Sequence, residues 1–441
     1  MQHYAVKQIV FDNGERLPML VDTRTGLPVF SAMSYVLGSL RSAGQAANSI
    51  EQCCRVLVLI HHWLDCAEID LLARCMSGTI LTDSEIDALE NLLRLPAKDF
   101  AKQAVRRYGK APHATLTPPA NQRVVSMEKF RRGPSKTAPA PHVSSVTLGI
   151  RLLHAKAYLQ KMALDYSARS TTPADKRQAI RAEVELMAAK FKALTPPTFV
   201  STDAPAPEGM AGRHVDELLK VIEPAESNAS NPWTHPFTRK RNQLMILTLL
   251  ATGMRGGELL KMKTSDIQRH DAVLSITRSP GDAEDPRSRQ PQAKTRSRDL
   301  ALDPELYAAL NTFISTERRA IPGKQRKHPF VWTTEGGTPL SLNGLGKIFS
   351  TLRKKAPQLP KELTAHILRY TAADDLLDRL GKSPATEDQS LEQLRYVMGW
   401  SPSSEMPAKY ARRHIRTQAN AALLDMQKKL LAKKEKTDDI K

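Results

Sequence analysis

Proline and glycine divide this chain before any other pattern does. Residues 195–209, TPPTFVSTDAPAPEG, carry Pro196, Pro197, Pro205, Pro207 and Gly209. Proline fixes φ and lacks the N–H that a helix or a central strand needs, so no regular element runs through this stretch. A second stretch, 109–142, sets Gly109, Pro112, Pro118, Pro119, Gly133, Pro134, Pro139 and Pro141 among Arg and Lys, and reads as a basic, irregular connector. With 441 residues the chain exceeds one ordinary core. The expected division is an N-terminal extension (1–30), a helical region (31–194) interrupted by the connector, a linker (195–212), a second globular region (213–414), and a C-terminal helix and tail (415–441).

Within those limits most segments have helical periodicity. The exception at the start is Val6–Phe11 and Leu17–Val21, two apolar runs flanking Asp12-Asn13-Gly14; Asn-Gly is a strong hairpin signal. Helices are then expected from about Ser31, through the cysteine-bearing stretch, over Asp83–Leu95, Val143–Tyr166 and Pro173–Leu194. In the second half, Arg239–Ala251 reads as a helix ending at Gly253. Ala272–Thr277 and Lys294–Leu302 read as two strands joined by a Pro- and Arg-rich loop. Further helices are expected at Pro304–Arg318, Leu342–Lys354, Ala365–Leu380 and Leu391–Met398. In Ile415–Lys434, Ala419, Ala422, Leu423, Met426 and Leu430 fall on one stripe.

Lys and Arg number 65 against 46 Asp and Glu, a net charge of +19, which predicts attraction to polyanions. No apolar run approaches the ~18 residues that span a bilayer, and the N-terminus lacks a signal-peptide pattern, so no membrane partner is expected and the setting is cytoplasmic. Cys53, Cys54, Cys66 and Cys75 lie close together around His61 and His62, without the CxxC spacing of structural zinc sites. Ile50, Cys53, Cys54, Leu57, Ile60 and Leu64 instead recur at helical spacing, as buried apolar residues do. No metal is expected, and no nucleotide cofactor either. Gly381-Lys382-Ser383 mimics the end of a P-loop, but Leu376 stands where its first glycine belongs.

Candidate chemistry gathers in the second half. ATGMRGGELLKMKTSDI (251–267) places Arg255 after a glycine-broken apolar helix, with Glu258 three residues on. LTAHILRYTAA (363–373) puts His366 and Arg369 one turn apart on one helix face, able to reach a common anion. MGWSPSSEMPAKYARRH (398–414) adds Trp400 and Tyr410. Each motif alone has an ordinary reading: a surface arginine, a satisfied core histidine, a solvated charge run. Lys294 competes with Arg296 and Arg298. Tyr410 competes with Tyr370 and Tyr396, whose apolar helical settings suit core residues.

Taken in order, Arg…HxxR…Gly-Trp…Tyr with a Lys-bearing hairpin after the first Arg resembles the tyrosine recombinase (phage integrase) family. The resemblance covers roughly Arg213–His414, and more loosely the helical 31–194 region. It implies a mainly α fold with a small antiparallel sheet. A helical, SAM-like core-binding domain and a catalytic domain would form a C-shaped DNA clamp. It further implies a site-specific recombinase that cleaves and rejoins DNA through a 3′-phosphotyrosine. Tyr410 would be the nucleophile and Arg255 and Arg369 the phosphate clamp. His366 would be the proton acceptor or donor, Lys294 the acid for the leaving 5′-oxygen, Trp400 a hydrogen-bond donor to the phosphate, and Glu258 the residue orienting Arg255. The energy of the broken bond is kept in the phosphotyrosine, so neither ATP nor metal is implied.

The implied partners are double-stranded DNA and three further copies of the chain, four protomers synapsing two sites. Accessory proteins are left open, and the place of action is the nucleoid. The C-terminal helix docks either into a neighbouring protomer or onto its own domain. A type IB topoisomerase, a telomere resolvase and an inactive DNA-binding module share parts of the pattern. Two departures stand out: the Trp400–Tyr410 gap is one residue longer than usual, and Arg369–Trp400 is stretched through DRLGKSPATEDQS (378–390). The extra N-terminal and connector segments exceed what simple chromosome resolution needs and suggest a mobile genetic element.

Overall fold

The computed structural model describes residues 3–108, 142–169, 171–197, 208–268, 271–278, 281–293, 295–323, 326–382, 386–404, 406–407 and 412–438. Nearly all of the 109–142 connector, together with Lys294 and Tyr410, therefore lies outside the described residues. The chain divides into two compact units. One is Met1–Phe11 with Arg16–Thr202, the other Asp12–Glu15 with Asp203–Lys441.

In the first unit, β1 (Tyr4–Val10) and β2 (Arg16–Asp22) form an antiparallel hairpin, paired from Tyr4↔Asp22 to Val10↔Arg16. Gly14 sits in its turn at φ +81°, a conformation that glycine adopts without a Cβ clash. The hairpin is more than an extension, because Tyr4, Leu17 and Leu20 are buried in the same core as the helices. Then follow α1 (Phe30–Tyr35), continued as a π-helical turn over Val36–Arg41, and the central α2 (Ala47–Cys66). Next come α3 (Leu71–Ser77), α4 (Asp83–Leu93), α5 (Ala97–Tyr108), α6 (Ser145–Ser167) and α7 (Ala174–Leu194).

Thr82 starts α4 with a reciprocal cap. Its hydroxyl accepts from the Glu85 N–H at 3.3 Å, while the Glu85 carboxylate accepts from the Thr82 N–H at 2.7 Å. On α2, Ile50, Cys53, Cys54, Leu57, Ile60 and Leu64 are all buried, as their spacing requires. Burial pushes the Cys53 and Cys54 thiols up to about 12, so both remain protonated.

The second unit starts with α8 (Gly212–Ile222), α9 (Pro236–Thr252) and α10 (Gly256–Lys261). A three-stranded antiparallel sheet follows, β3 (Ile267–Gln268), β4 (Val273–Ile276) and β5 (Arg298–Ala301), in that spatial order. The last strand was expected from residue 294 but begins at 298. The Arg296 N–H is spent on the Gly399 carbonyl at 3.0 Å rather than on the ladder. The helix expected over 304–318 breaks at Thr316 into α11 (Pro304–Ser315) and α12 (Glu317–Ala320). There Arg318 turns inward to donate to the Phe330 and His328 carbonyls, both at 2.9 Å.

The unit closes with α13 (Leu342–Lys355), α14 (Ala365–Leu380), α15 (Glu387–Met398) and α16 (Arg412–Asp438). Its main core gathers Leu244, Leu249, Leu259, Phe313, Trp332 and Leu368, and a smaller one joins Tyr370, Leu377, Leu394, Met398 and Trp400. The architecture is mainly helical with small antiparallel sheets. Among the described residues, no helix is long and apolar enough to cross a membrane.

Candidate active site

Three chain segments of the second unit end at one place. Helix α9 stops at Gly253, which holds φ +61° and whose N–H reaches the Leu249 carbonyl at 3.0 Å. The chain turns at once into α10, with Arg255 as its N-cap. Helix α14 begins at Thr364, whose hydroxyl accepts from the Ile367 N–H at 3.3 Å, so that His366 and Arg369 lie in its first turns. The stretch that leads into α14's unit from the linker is pinned to the same helix. Gly209 N–H donates to Asp374 at 3.1 Å and Met210 N–H to the Thr371 hydroxyl at 2.8 Å.

A cavity of ≈ 410 Å³ opens between α10, α13 and α14, and Arg255, Arg353, His366 and Arg369 contribute its polar lining. Arg369 has no exposed surface. Its Nη1 donates to the Gly253 carbonyl at 2.7 Å and its Nη2 to the Met398 carbonyl at 2.8 Å, which ties together the C-terminal ends of α9 and α15. The Trp400 ring lies under it, with Arg369 Cζ 5.5 Å from the ring centroid. Arg255 is half-buried, and its Nη1 is buried with no hydrogen-bond partner among the described residues. A buried guanidinium donor in that position calls for an anion.

His366 lines this cleft and is not part of a core, its ring half shielded from water and edge-on to Tyr370 at 4.9 Å and 75°. Burial of the ring, then Arg369, then Arg255, push its imidazole below the ordinary 6.5, so the neutral form prevails at pH 7. Glu258 holds the Arg255 backbone and two further neighbours at once. Its carboxylate accepts from the Arg255 backbone N–H at 2.9 Å, from Arg298 Nη2 at 3.1 Å and from the Thr295 hydroxyl. Burial alone would raise its carboxyl. The Arg298 charge, with hydrogen bonds from Arg298, Thr295 and the Arg255 N–H, outweighs that and holds it below the usual range.

The structure therefore brings together Arg255, Glu258, His366, Arg369 and Trp400. Lys294 and Tyr410 lie outside the described residues, with Ala293 and Thr295 beside Lys294 both buried. Of the competing tyrosines, Tyr370 is a core residue as expected. Tyr396 is not: it is 57% exposed, because its hydroxyl reaches out to the Asp299 carbonyl at 3.0 Å and fastens α15 to β5. Arg298 and Thr295 were missed as buried partners of Glu258. Strand parity carried the signal, since Arg298 shares its face with Leu300 and Leu302, and all three are buried. Among the described residues, no group of three or more His, Cys, Asp or Glu side chains is arranged to hold a metal ion.

The Phage integrase family model matches residues 216–414. Tyrosine recombinase XerD of Halalkalibacterium halodurans is 28% identical over 158 residues, 36% of this chain and 48% of that protein. Tyrosine recombinase XerC of Bacillus pumilus is 30% identical over 142 residues, 32% of this chain and 41% of that protein. The chain thus spans about half the length of the curated relatives it matches. The crystal structure of the XerH site-specific recombinase bound to palindromic difH substrate has a TM-score of 0.41 and 16% identity, covering 83% of this chain and 96% of that one. The stretch that matches this family model, residues 216–414, carries Arg255, His366 and Arg369 around one cleft.

Proposed function

We propose that the protein is a site-specific DNA recombinase that cleaves and rejoins duplex DNA through a 3′-phosphotyrosine intermediate. The observation that carries this reading is Arg255 Nη1, a guanidinium nitrogen buried at the cleft without a hydrogen-bond partner among the described residues, beside His366 and Arg369. Tyr410 attacks the scissile phosphate, and its oxygen forms the bond to phosphorus as the bond to the 5′-oxygen breaks. Arg255 and Arg369 hold the non-bridging oxygens, and preorganised cations of this kind stabilise the charge that builds on them. Neutral His366 takes the tyrosine proton. Lys294 supplies a proton to the 5′-oxygen. Trp400 supports Arg369 from below and directs its indole N–H toward the phosphate, and Glu258 sets the Arg255 turn.

Double-stranded DNA is the proposed partner, in keeping with the net charge of +19. The proposed assembly is a homotetramer on two DNA sites. Helix α16 supports it, because all its described side chains, residues 415–429, are exposed, including Ile415, Leu423, Leu424 and Met426. An apolar stripe left in water suits a neighbouring protomer. The proposed setting is the cytoplasm, on the nucleoid, in the service of a mobile genetic element.

A plasmid carrying two copies of the DNA flanking the gene tests this reading. Resolution or inversion between the copies, in EDTA and without ATP, is the expected result. Relaxation of any supercoiled plasmid without site preference would indicate a topoisomerase, linear products with hairpin ends a telomere resolvase. Binding with no strand breakage would indicate an inactive module.

A further inference from the structure

The cleft beside His366 carries more positive charge than one phosphate needs. Arg255, Arg353 and Arg369 line it, and no Asp or Glu is among its described lining residues. Glu258, behind the Arg255 turn, is already paired with Arg298 at 3.1 Å, both side chains buried. His366 is neutral at pH 7, so the three guanidiniums are the ionised groups of the lining. A phosphodiester brings a single negative charge.

Arg353 stands apart from the other two arginines. It lies in the last turn of α13, and its Nη1 donates to the Leu363 carbonyl at 2.5 Å, just before the Thr364 cap of α14. Among the described residues its Nε and Nη2 have no hydrogen-bond partner, and no carboxylate pairs with it. Leu345, Phe349 and Arg353 follow at four-residue steps on the face of α13 that lines the cleft. The start of α10 meets that face at Leu345, where a Cβ on Gly256 would stand 2.7 Å from Leu345 Cδ2. Arg353 is eight residues farther on, about 12 Å along the helix axis. Leu345 and Phe349, both buried, make the interval apolar. Burial, then Arg369, then Arg255 depress the His366 imidazole, and Arg353 is too far along the cleft to contribute. A basic residue in a last helical turn ordinarily serves the helix dipole, but exposed Lys354 and Lys355 already do so here.

We propose that Arg353 binds a second phosphate, the neighbour on the same strand of the phosphate held by Arg255 and Arg369. This rests on the recombinase reading given above. One tetrahedral phosphate cannot bridge both ends of that apolar interval, whereas consecutive phosphates of one strand can. The deoxyribose between them, the uncharged part of the backbone, then lies against Leu345 and Phe349. With Nη1 anchored on Leu363, the Arg353 fork is held in one plane and offers Nε and Nη2 together, a bidentate match for two phosphate oxygens. The second grip sets direction. A strand held at one phosphate can pivot about it, and one held at two presents its scissile bond in a single orientation.

The experiment measures single-turnover covalent cleavage by the full chain, at subsaturating protein, on nicked suicide duplexes from the DNA flanking the gene. The duplexes differ by one neutral methylphosphonate, placed at the scissile phosphate or at either phosphate next to it. Arg353→Met is expected to lose about 10–10²-fold on the unmodified duplex, the scale of one charge-assisted contact. Neutralising one of the two flanking phosphates should cost wild type the same factor and abolish any further loss in Arg353→Met. Arg353→Lys keeps the charge and carries the test if Arg353→Met unfolds: it should lose less on the unmodified duplex and match wild type on that flanking methylphosphonate. Equal Arg353 losses on every duplex would make the residue structural and overturn the proposal. Masking at the scissile phosphate alone would make it a third clamp on that phosphate and overturn it too, as would wild-type rates on the unmodified duplex. Absence of any covalent product from wild type on the unmodified duplex would overturn the recombinase reading itself, and this inference with it.

Discussion

Arg255 keeps one guanidinium nitrogen buried and without a hydrogen-bond partner among the described residues, and that has an energetic signature. A buried donor without an acceptor costs about 1–3 kcal/mol, more when charged. Arg255→Met removes that cost together with the proposed phosphate contact. It should leave the melting temperature unchanged or raised while lowering DNA cleavage by about 10²–10³-fold, the effect of losing one preorganised donor. Thermal unfolding and single-turnover cleavage of the same preparation check both halves.

His366 adds a pH signature. It accepts a proton only when neutral, and burial, Arg369 and Arg255 together lower its pKa below 6.5. Cleavage should therefore hold its plateau at neutral pH and fall only as pH drops through that lowered value. Removing the Arg255 charge should move the acid limb upward, toward 6.5. A wild-type acid limb centred above 6.5 would contradict this assignment.

At the scale of elements, α1, α2 and α6 meet in a buried polar network. His61 Nε2 lies 2.9 Å from the Tyr158 hydroxyl, which donates to Ser31 at 2.9 Å. Burial lowers the His61 imidazole from 6.5 to about 4, so the unfolded chain binds its proton first. This contribution is intact above about 6.5 and is lost as pH falls toward about 4, a total of about 3 kcal/mol. Urea unfolding of the first unit's helices should show a lower midpoint at mildly acid pH, and His61→Phe should flatten that dependence.

The long helices of this unit were legible in the sequence because one stripe of apolar residues, such as Leu148, Leu152, Ala155 and Leu159, repeats over several turns. Strand β3 was not, since two residues carry no period. The start of β5 was misplaced because a tertiary bond from Arg296 N–H to Gly399 overrides local preference. The cleft was legible as Arg255, His366 and Arg369, whose contexts are local. The Arg298–Thr295–Glu258 knot was not, since an arginine in a basic run reads as a solvated face until its partner, 40 residues away, is placed.

For the whole molecule, a net charge of +19 predicts that binding to the proposed DNA partner is driven by counterion release. Binding to duplex DNA should weaken by at least about 10³-fold between about 50 mM and about 200 mM salt, linearly in log–log form. Fluorescence anisotropy titrations at several salt concentrations check this, and a shallow slope would remove the phosphate backbone as the main contact. The most direct measurement is covalent trapping on nicked suicide duplexes from the DNA flanking the gene, in EDTA, comparing wild type with Tyr410→Phe on a denaturing gel. A protein–DNA band in wild type that is absent from Tyr410→Phe is the expected result. A band that persists in Tyr410→Phe would move the nucleophile to another residue and contradict the assignment.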